Sequence, residues 1–384
     1  MVAQDVGGSF GLRGGASCEH ALVMLASRQL GRPVKYVATR SELFIAEWHG
    51  RALQLTSSIA LSGAGDILAI RFADTVDLGA YSCYWGSFIG ARNISVTMGG
   101  VYKVPALYMR SRLVYTNTMP VGAYRGAGRP EATYLLERLV SRCAWDMGLS
   151  QDDIRKRNFI TSFPYQTPVA LQYDVGDYHA CMTQSQELAD VAGFVARRAA
   201  SEAKGLKRGM GYSSYIEACG IAPSNIAGAL GARAGLFECG EVRVHPTGSV
   251  TVFTGSHSHG QGHETTFAQV VAARLGIPVE NVDIVHGDTG RVPFGMGTYG
   301  SRSISVGGAA LMKALDKIEA KAKKIAAHLM EASDADIDFA GGEFTVKGTD
   351  KKIPFAQVSL AAYVPHNYPL DKLEPGLNET AFYD

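Results

Sequence analysis

No Cys-x-x-Cys pair occurs among the six cysteines, Cys18, Cys83, Cys143, Cys181, Cys219 and Cys239. Their scatter excludes a zinc ribbon or an iron–sulfur site built by paired cysteines. It reads instead as the reduced, buried thiols of a cytoplasmic protein. No apolar run is long enough to span a bilayer. The best stretch, 21–30, contains Arg28 and follows Glu19. The opening residues, Met-Val-Ala-Gln-Asp, carry neither the basic nor the apolar region of a signal peptide. Excess charge is missing too: 37 Lys and Arg stand against 36 Asp and Glu, a formal net charge of +1. That balance gives no electrostatic case for nucleic acid or an anionic membrane. Proline is sparse at 14 and no repeat period occurs, so the 44 glycines read as points of close backbone approach. What is present fits a globular chain, 46% hydrophobic and 19% charged, whose 384 residues suffice for two or three domains.

The pattern is mixed α and β. Apolar spacing predicts a helix over 17–30, stopped by Gly31-Arg-Pro33, and strands over 2–6 and 34–38. Strands are expected at 53–60, 67–76 and 108–115, then helices at 131–147 and 151–158, the second capped by Ser150. A long Ala-rich helix is expected over 177–204. Gly205-Leu-Lys-Arg-Gly209 is the best boundary, which divides the chain into 1–208 and 209–384. Further strands are expected at 210–216, 241–245, 249–254, 282–285 and 339–346. Helices should cover 265–275 and 303–329. Residues 220–235 read as a mobile loop, and 367–384 show no clear element.

Three glycine loops carry the functional signal: Gly7-Gly-Ser-Phe-Gly11, Gly122-Ala-Tyr-Arg-Gly-Ala-Gly-Arg129 and Gly260-Gln-Gly262. Each lies between an extended segment and a helix, where successive N–H groups make anion-binding nests. The third ends Thr254-Gly-Ser-His-Ser-His-Gly-Gln-Gly-His263 and reads as a backbone cradle for a large polar cofactor. A nicotinamide dinucleotide fits poorly, because Thr265 replaces the third glycine and Asp288 lies 28 residues beyond Gly260. His257, His259 and His263, with His286 or Asp288, could be zinc ligands, but no carboxylate sits at a fixed close spacing, so polar loop residues without a metal are favoured. Serine hydrolysis has little support, since Gly255-Ser-His-Ser-His lacks a nucleophile elbow.

Six segments in order resemble the molybdenum-containing large subunits of the xanthine oxidase and aldehyde oxidase family, in its carbon monoxide dehydrogenase-like branch. They are Asp5-Val-Gly-Gly-Ser-Phe-Gly11, Gly31-Arg-Pro-Val34 with Thr39-Arg-Ser-Glu42, Gly122 to Glu131, Arg155-Lys-Arg-Asn158, Thr254 to His263, and Gly297-Thr-Tyr-Gly-Ser-Arg-Ser303. The resemblance implies an α+β fold: a two-part molybdopterin-binding domain, truncated at both ends. It places Phe10 and Gly11 beside the molybdenum, Gln261 against the pterin and Arg125 facing substrate. Gly8, Gly126 and Ala127 fall in its cofactor loops, as do Gly260, Gly262, His263, Thr298, Gly300, Ser301 and Arg302. The metal is held by the cofactor's dithiolene, so no protein ligand is expected. The implied cofactor is molybdopterin cytosine dinucleotide. Implied partners are an FAD-binding medium subunit, a 2Fe-2S small subunit, a second copy of the large subunit and a small-molecule substrate.

Two departures shape the expected activity. Carbon monoxide dehydrogenases of this type read Ala-Tyr-Arg-Cys, the cysteine binding copper, whereas this chain reads Ala123-Tyr-Arg-Gly126. Hydroxylation of an aldehyde, a small carbonyl compound or an N-heterocycle is therefore expected over CO oxidation. True CO dehydrogenase and an inactive scaffold are the alternatives. The family's large subunits are also about twice this length, and no glutamate here matches their catalytic Gly-Val-Gly-Glu. The polypeptide alone is expected to show no turnover.

Overall fold

The computed structural model describes residues 1–169, 171–221, 223–229 and 232–384. Its contacts separate two compact units, Phe10–Ala218 and Met1–Ser9 with Cys219–Asp384.

In the first unit, β1 (Leu53–Leu61) pairs antiparallel with β2 (Ile67–Asp77), and β2 pairs parallel with β3 (Leu107–Val114). Strand alternation sends Ile70, Phe72 and Val76 to one buried face. The helix Arg129–Met147 meets that core through Ala132, Leu136, Val140 and Ala144, a four-residue ridge. Each large buried side chain there is worth about 1.5–3 kcal/mol. Ser150 caps Gln151–Asn158 by accepting from Asp153 N–H at 3.1 Å, as the sequence implies. The Arg155-Lys-Arg-Asn158 segment is structural. Asn158 accepts from Ile67 N–H at 2.8 Å and donates to the carbonyls of Gly65 and Ile154. Arg155 donates to Glu137 at 2.9 Å, and Glu137 also accepts from Ser214 N–H. Residues 210–216 are held by this network and form no strand. The helix expected over 177–204 is two, Tyr178–Leu188 and Phe194–Glu202. Asp190 adopts φ +46° and its carboxylate accepts from Gly193 N–H at 3.1 Å, breaking one helix near the start of the next.

The second unit is built on a four-stranded sheet in the order β12 (Leu377–Tyr383), β6 (Glu238–Val244), β7 (Val250–Thr254), β8 (Val282–Val285). The β7–β8 pair is parallel, and the helix His263–Leu275 is its crossover. The amphipathic helix Gly308–Leu329 covers β6 and β12 through Leu311, Leu315 and Ile318. It lies so close that a side chain on Gly240 would stand 2.8 Å from the Leu311 backbone. The first residues of the expected 303–329 helix, Ser303–Gly307, form a π-helical turn. Two strands, β9 (Ile337–Ala340) and β10 (Glu343–Val346), replace the single one expected at 339–346, with Gly341 and Gly342 making the turn.

Four other expectations need correction. Residues 2–6 contribute a single bridge, Val2 to Asp288. Residues 34–38 are neither helix nor strand. The tail contains β12, paired with β6 from Leu377↔Val244 to Tyr383↔Glu238. Within 220–235, Ser224–Ala229 is helical, while 222, 230 and 231 lie outside the described residues.

Candidate functional site

The implicated residues fall on loops of both units, and each loop is shaped by its own unit. In the first unit Phe10 sits at φ +54° and Gly11 at φ +104°. A Cβ on Gly11 would stand 2.5 Å from the carbonyl oxygen of Ala123, so only glycine fits. The Phe10 carbonyl accepts from Arg125 N–H at 2.8 Å, and the Gly11 carbonyl accepts from the Trp48 indole at 3.2 Å. Arg51 donates to the Arg125 carbonyl and lies 4.4 Å over the Tyr124 ring. The backbone of Arg125 is thereby pinned from both sides while its side chain stays exposed. Among the described residues that guanidinium makes no ion pair. Ala127 is at φ +44°, and its carbonyl accepts from Asn93. Trp48, Arg51 and Asn93 escape sequence reasoning because no local motif marks them.

In the second unit the loop 255–262 leaves the carboxyl end of β7, where ligands of parallel βαβ units bind. Gly260 and Gly262 hold φ +100° and +77°, yet a Cβ on either would meet nothing within 4 Å. Open space lies above both. Gly262 is the N-cap of His263–Leu275 and has no side chain with which to cap it. The Glu264 carboxylate takes its own N–H, which leaves the other N–H groups of the first turn to face an anion. Gln261 is exposed and accepts from His259 N–H. Gly8, at φ +108°, and Ser301, at φ +54°, are further left-handed positions. Phe10, Ala127 and Ser301, all non-glycine, each cost about 1–3 kcal/mol, and such strain clusters at functional sites.

Two of the implicated side chains point inward. His263 is 7% exposed, with Nδ1 3.3 Å from the Ser256 carbonyl. Arg302 is wholly buried; it donates to Glu238 and to the Leu236 carbonyl. Glu238 also accepts from Met296 N–H at 2.9 Å, so this pair ties both ends of the 296–302 loop to the start of β6. Thr298 donates to the His257 carbonyl at 2.7 Å, and Gly300 accepts from Gly220 N–H at 3.2 Å. What this loop offers outward is therefore mainly backbone.

The histidines make their contacts within the protein. His257 Nε2 lies 3.2 Å from the Ala3 carbonyl and His286 pairs with Glu264 at 2.7 Å. Among the described residues no three His, Cys, Asp or Glu are grouped to hold a metal. Burial pushes the His259 imidazole below its ordinary range, helped by His257, His263 and His286. His263 is lowered chiefly by burial. Gly7-Gly-Ser-Phe-Gly11 does spell Gly-x-Ser-x-Gly, but no strand leads into it and the next helix starts at Cys18.

Glycine loops with open space and a helix N-terminus whose N-cap is a glycine are features that suit a large anionic ligand. The chain belongs to the molybdopterin cofactor-binding domain family of the molybdenum hydroxylases: 1–159 and 184–384 each match a model described as a molybdopterin cofactor-binding domain. Within it the chain is similar to the carbon monoxide dehydrogenase large chain of Hydrogenophaga pseudoflava, 37% identical over all of this chain and 48% of the relative. The CO dehydrogenase structure from Oligotropha carboxidovorans superposes with a TM-score of 0.90 at 36% identity, covering 100% of this chain and 48% of that one. Quinoline 2-oxidoreductase from Pseudomonas putida 86 gives 0.90 at 35%, covering 100% and 49%. The chain spans about half the length of the relatives it matches.

Proposed function

We propose that this chain supplies the cofactor-binding part of a molybdenum hydroxylase acting on a small carbonyl or heteroaromatic substrate. The observation that carries the reading is the open glycine cradle at Gly260–His263, at the N-terminus of a helix. When bound, the molybdenum cofactor supplies the redox chemistry. The chain's own groups bind and orient. The N–H groups opening the His263–Leu275 helix would receive the pyrophosphate of a cytosine dinucleotide. Gln261 would turn its amide to the pterin, and the Gly11 N–H and Phe10 would flank the metal. Arg125, held by its backbone, would face substrate. Thr298, Gly300, Ser301 and Gly8 would add cofactor contacts from the same unit, and Gly126 and Ala127 would be cofactor contacts on the glycine loop of the first unit. The functional division would be 1–208 and 209–384, whereas the compact units part between Ala218 and Cys219 and Met1–Ser9 goes with the later one. Electrons would leave through FAD and 2Fe-2S partner subunits in a cytoplasmic complex containing a second copy of this chain.

Substrate choice turns on Gly126, which has no side chain to hold copper. Beside that loop Cys83 is buried and donates to the Val121 carbonyl at 3.2 Å. Burial pushes its thiol pKa up, against thiolate formation. The intact complex should reduce an artificial acceptor with an aldehyde or N-heterocycle and not with CO. Copper-dependent CO oxidation would overturn this reading in favour of a true CO dehydrogenase.

A further inference from the structure

Residues 48–51 form a strap along the glycine loop 122–129 of the first unit. His49 N–H donates to the Pro120 carbonyl at 2.8 Å, and the His49 carbonyl accepts from Gly122 N–H at 2.7 Å. This parallel bridge fixes the register of strap and loop. Gly50 lets the two chains close up, because a Cβ there would stand 2.5 Å from the Tyr124 Cβ. The side chains at the two ends of the strap then reach the two groups read as flanking metal and substrate. The Trp48 indole donates to the Gly11 carbonyl, and the Arg51 guanidinium donates to the Arg125 carbonyl.

The backbone of Arg51 holds φ +64°, a left-handed conformation that few non-glycine residues adopt. Such strain persists only where the surroundings over-determine it. Here the surroundings are the partners of its side chain. The guanidinium lies 4.4 Å from the centre of the Tyr124 ring, and Nε stands 3.9 Å from one oxygen of the Glu131 carboxylate. That carboxylate is nearly buried, and its other oxygen accepts from Gly128 N–H at 3.0 Å. One planar fork therefore touches residues 124, 125 and 131, on both sides of the Gly126-Ala-Gly128 turn. A lysine ammonium is a point charge without the fork that spans these three partners.

We propose that Arg51 is a positioning residue: by holding the Arg125 carbonyl it sets where the Arg125 guanidinium stands toward substrate. The proposal rests on the reading of Arg125 as substrate-facing. Arg125 N–H is held independently by the Phe10 carbonyl at 2.8 Å. Loss of the Arg51 side chain thus frees one side of Arg125 and leaves the other tied, so the side chain swings while the loop stays folded.

The first test is trypsin cleavage of the natively purified protein after Arg125, whose side chain is exposed to the protease. Arg51→Met should speed that cut about tenfold, with cleavage after the exposed Arg233 unchanged. Arg51→Lys should restore the thermal midpoint that Arg51→Met loses, since its charge still faces Glu131, but not the slow cleavage. The second test is a double-mutant cycle with pyridine-3-carbaldehyde as substrate and an artificial electron acceptor. Arg51→Met should raise KM about tenfold at unchanged molybdenum content and add nothing in an Arg125→Met background. Three results would overturn the proposal: parental cleavage in Arg51→Met, cleavage that follows the thermal midpoint across both variants, or an effect on KM that persists without the Arg125 side chain. Trypsin reads the loop without turnover, so a parent protein that fails to oxidise the aldehyde counts against the hydroxylase reading alone.

Discussion

Glu238 and Arg302 form an ion pair from which solvent is wholly excluded, with no side-chain exposure on either partner. Desolvating two charges is expensive, and removing one partner strands the other. Glu238→Ala should therefore cost about 3–5 kcal/mol in urea denaturation. Glu238→Gln, which keeps an acceptor for Met296 N–H, should cost less. Equal and small losses in both variants would show that the pair does not hold the 296–302 loop. Such residues set the limit of sequence reading. Arg302 was visible in its Gly-Ser-Arg-Ser segment, but its inward direction was not. Glu238 lies 64 positions away, and nothing local signals the pairing. Gly11, by contrast, was legible, because a glycine between Phe10 and a loop already marks close backbone approach.

Elements marked by a cap or by a β-branched run were legible, the first through Ser150 with Asp152 and Asp153, the second through Val282, Ile284 and Val285. Gln151–Asn158 and Val282–Val285 match their expected limits. The strand Leu377–Tyr383 was hidden because only Leu377 and Ala381 are buried on it and its order comes from pairing with Glu238–Val244. The loop before His263–Leu275 carries a pH consequence. His259 and His263 titrate below the ordinary imidazole range, because burial disfavours their charged forms. The unfolded chain, with ordinary histidines near 6.5, binds protons more readily than the folded one. Their contribution is full above that value and is lost as pH falls through the lowered folded values. For Glu264, burial pushes the carboxyl up, but its own backbone N–H and His286 outweigh this and hold it low. Its contribution disappears at still lower pH. The thermal midpoint should fall between pH 7.5 and about 5.5, and His259→Asn should flatten that fall. An unchanged slope in the variant would remove His259 from the account.

At the scale of the whole molecule, the α+β class and the cofactor family were readable from six short segments spread along the chain. The composition of the two units was not: Met1–Ser9 joins Cys219–Asp384 through Ala3 N–H to the Gly287 carbonyl at 2.7 Å, a pairing across most of the sequence. The loop Thr254–His263 began as a cluster of glycines and histidines. The structure makes it a strand-end cradle in which the glycines leave room and the histidines bond within the protein. The central claim is that this cradle takes a molybdopterin dinucleotide. Its most direct test is the metal and nucleotide content of natively purified protein. The account predicts molybdenum and released cytidine monophosphate in equal amounts, at about one per chain. Molybdenum-free protein with no releasable nucleotide, or stoichiometric zinc lost in His257→Ala, would contradict it.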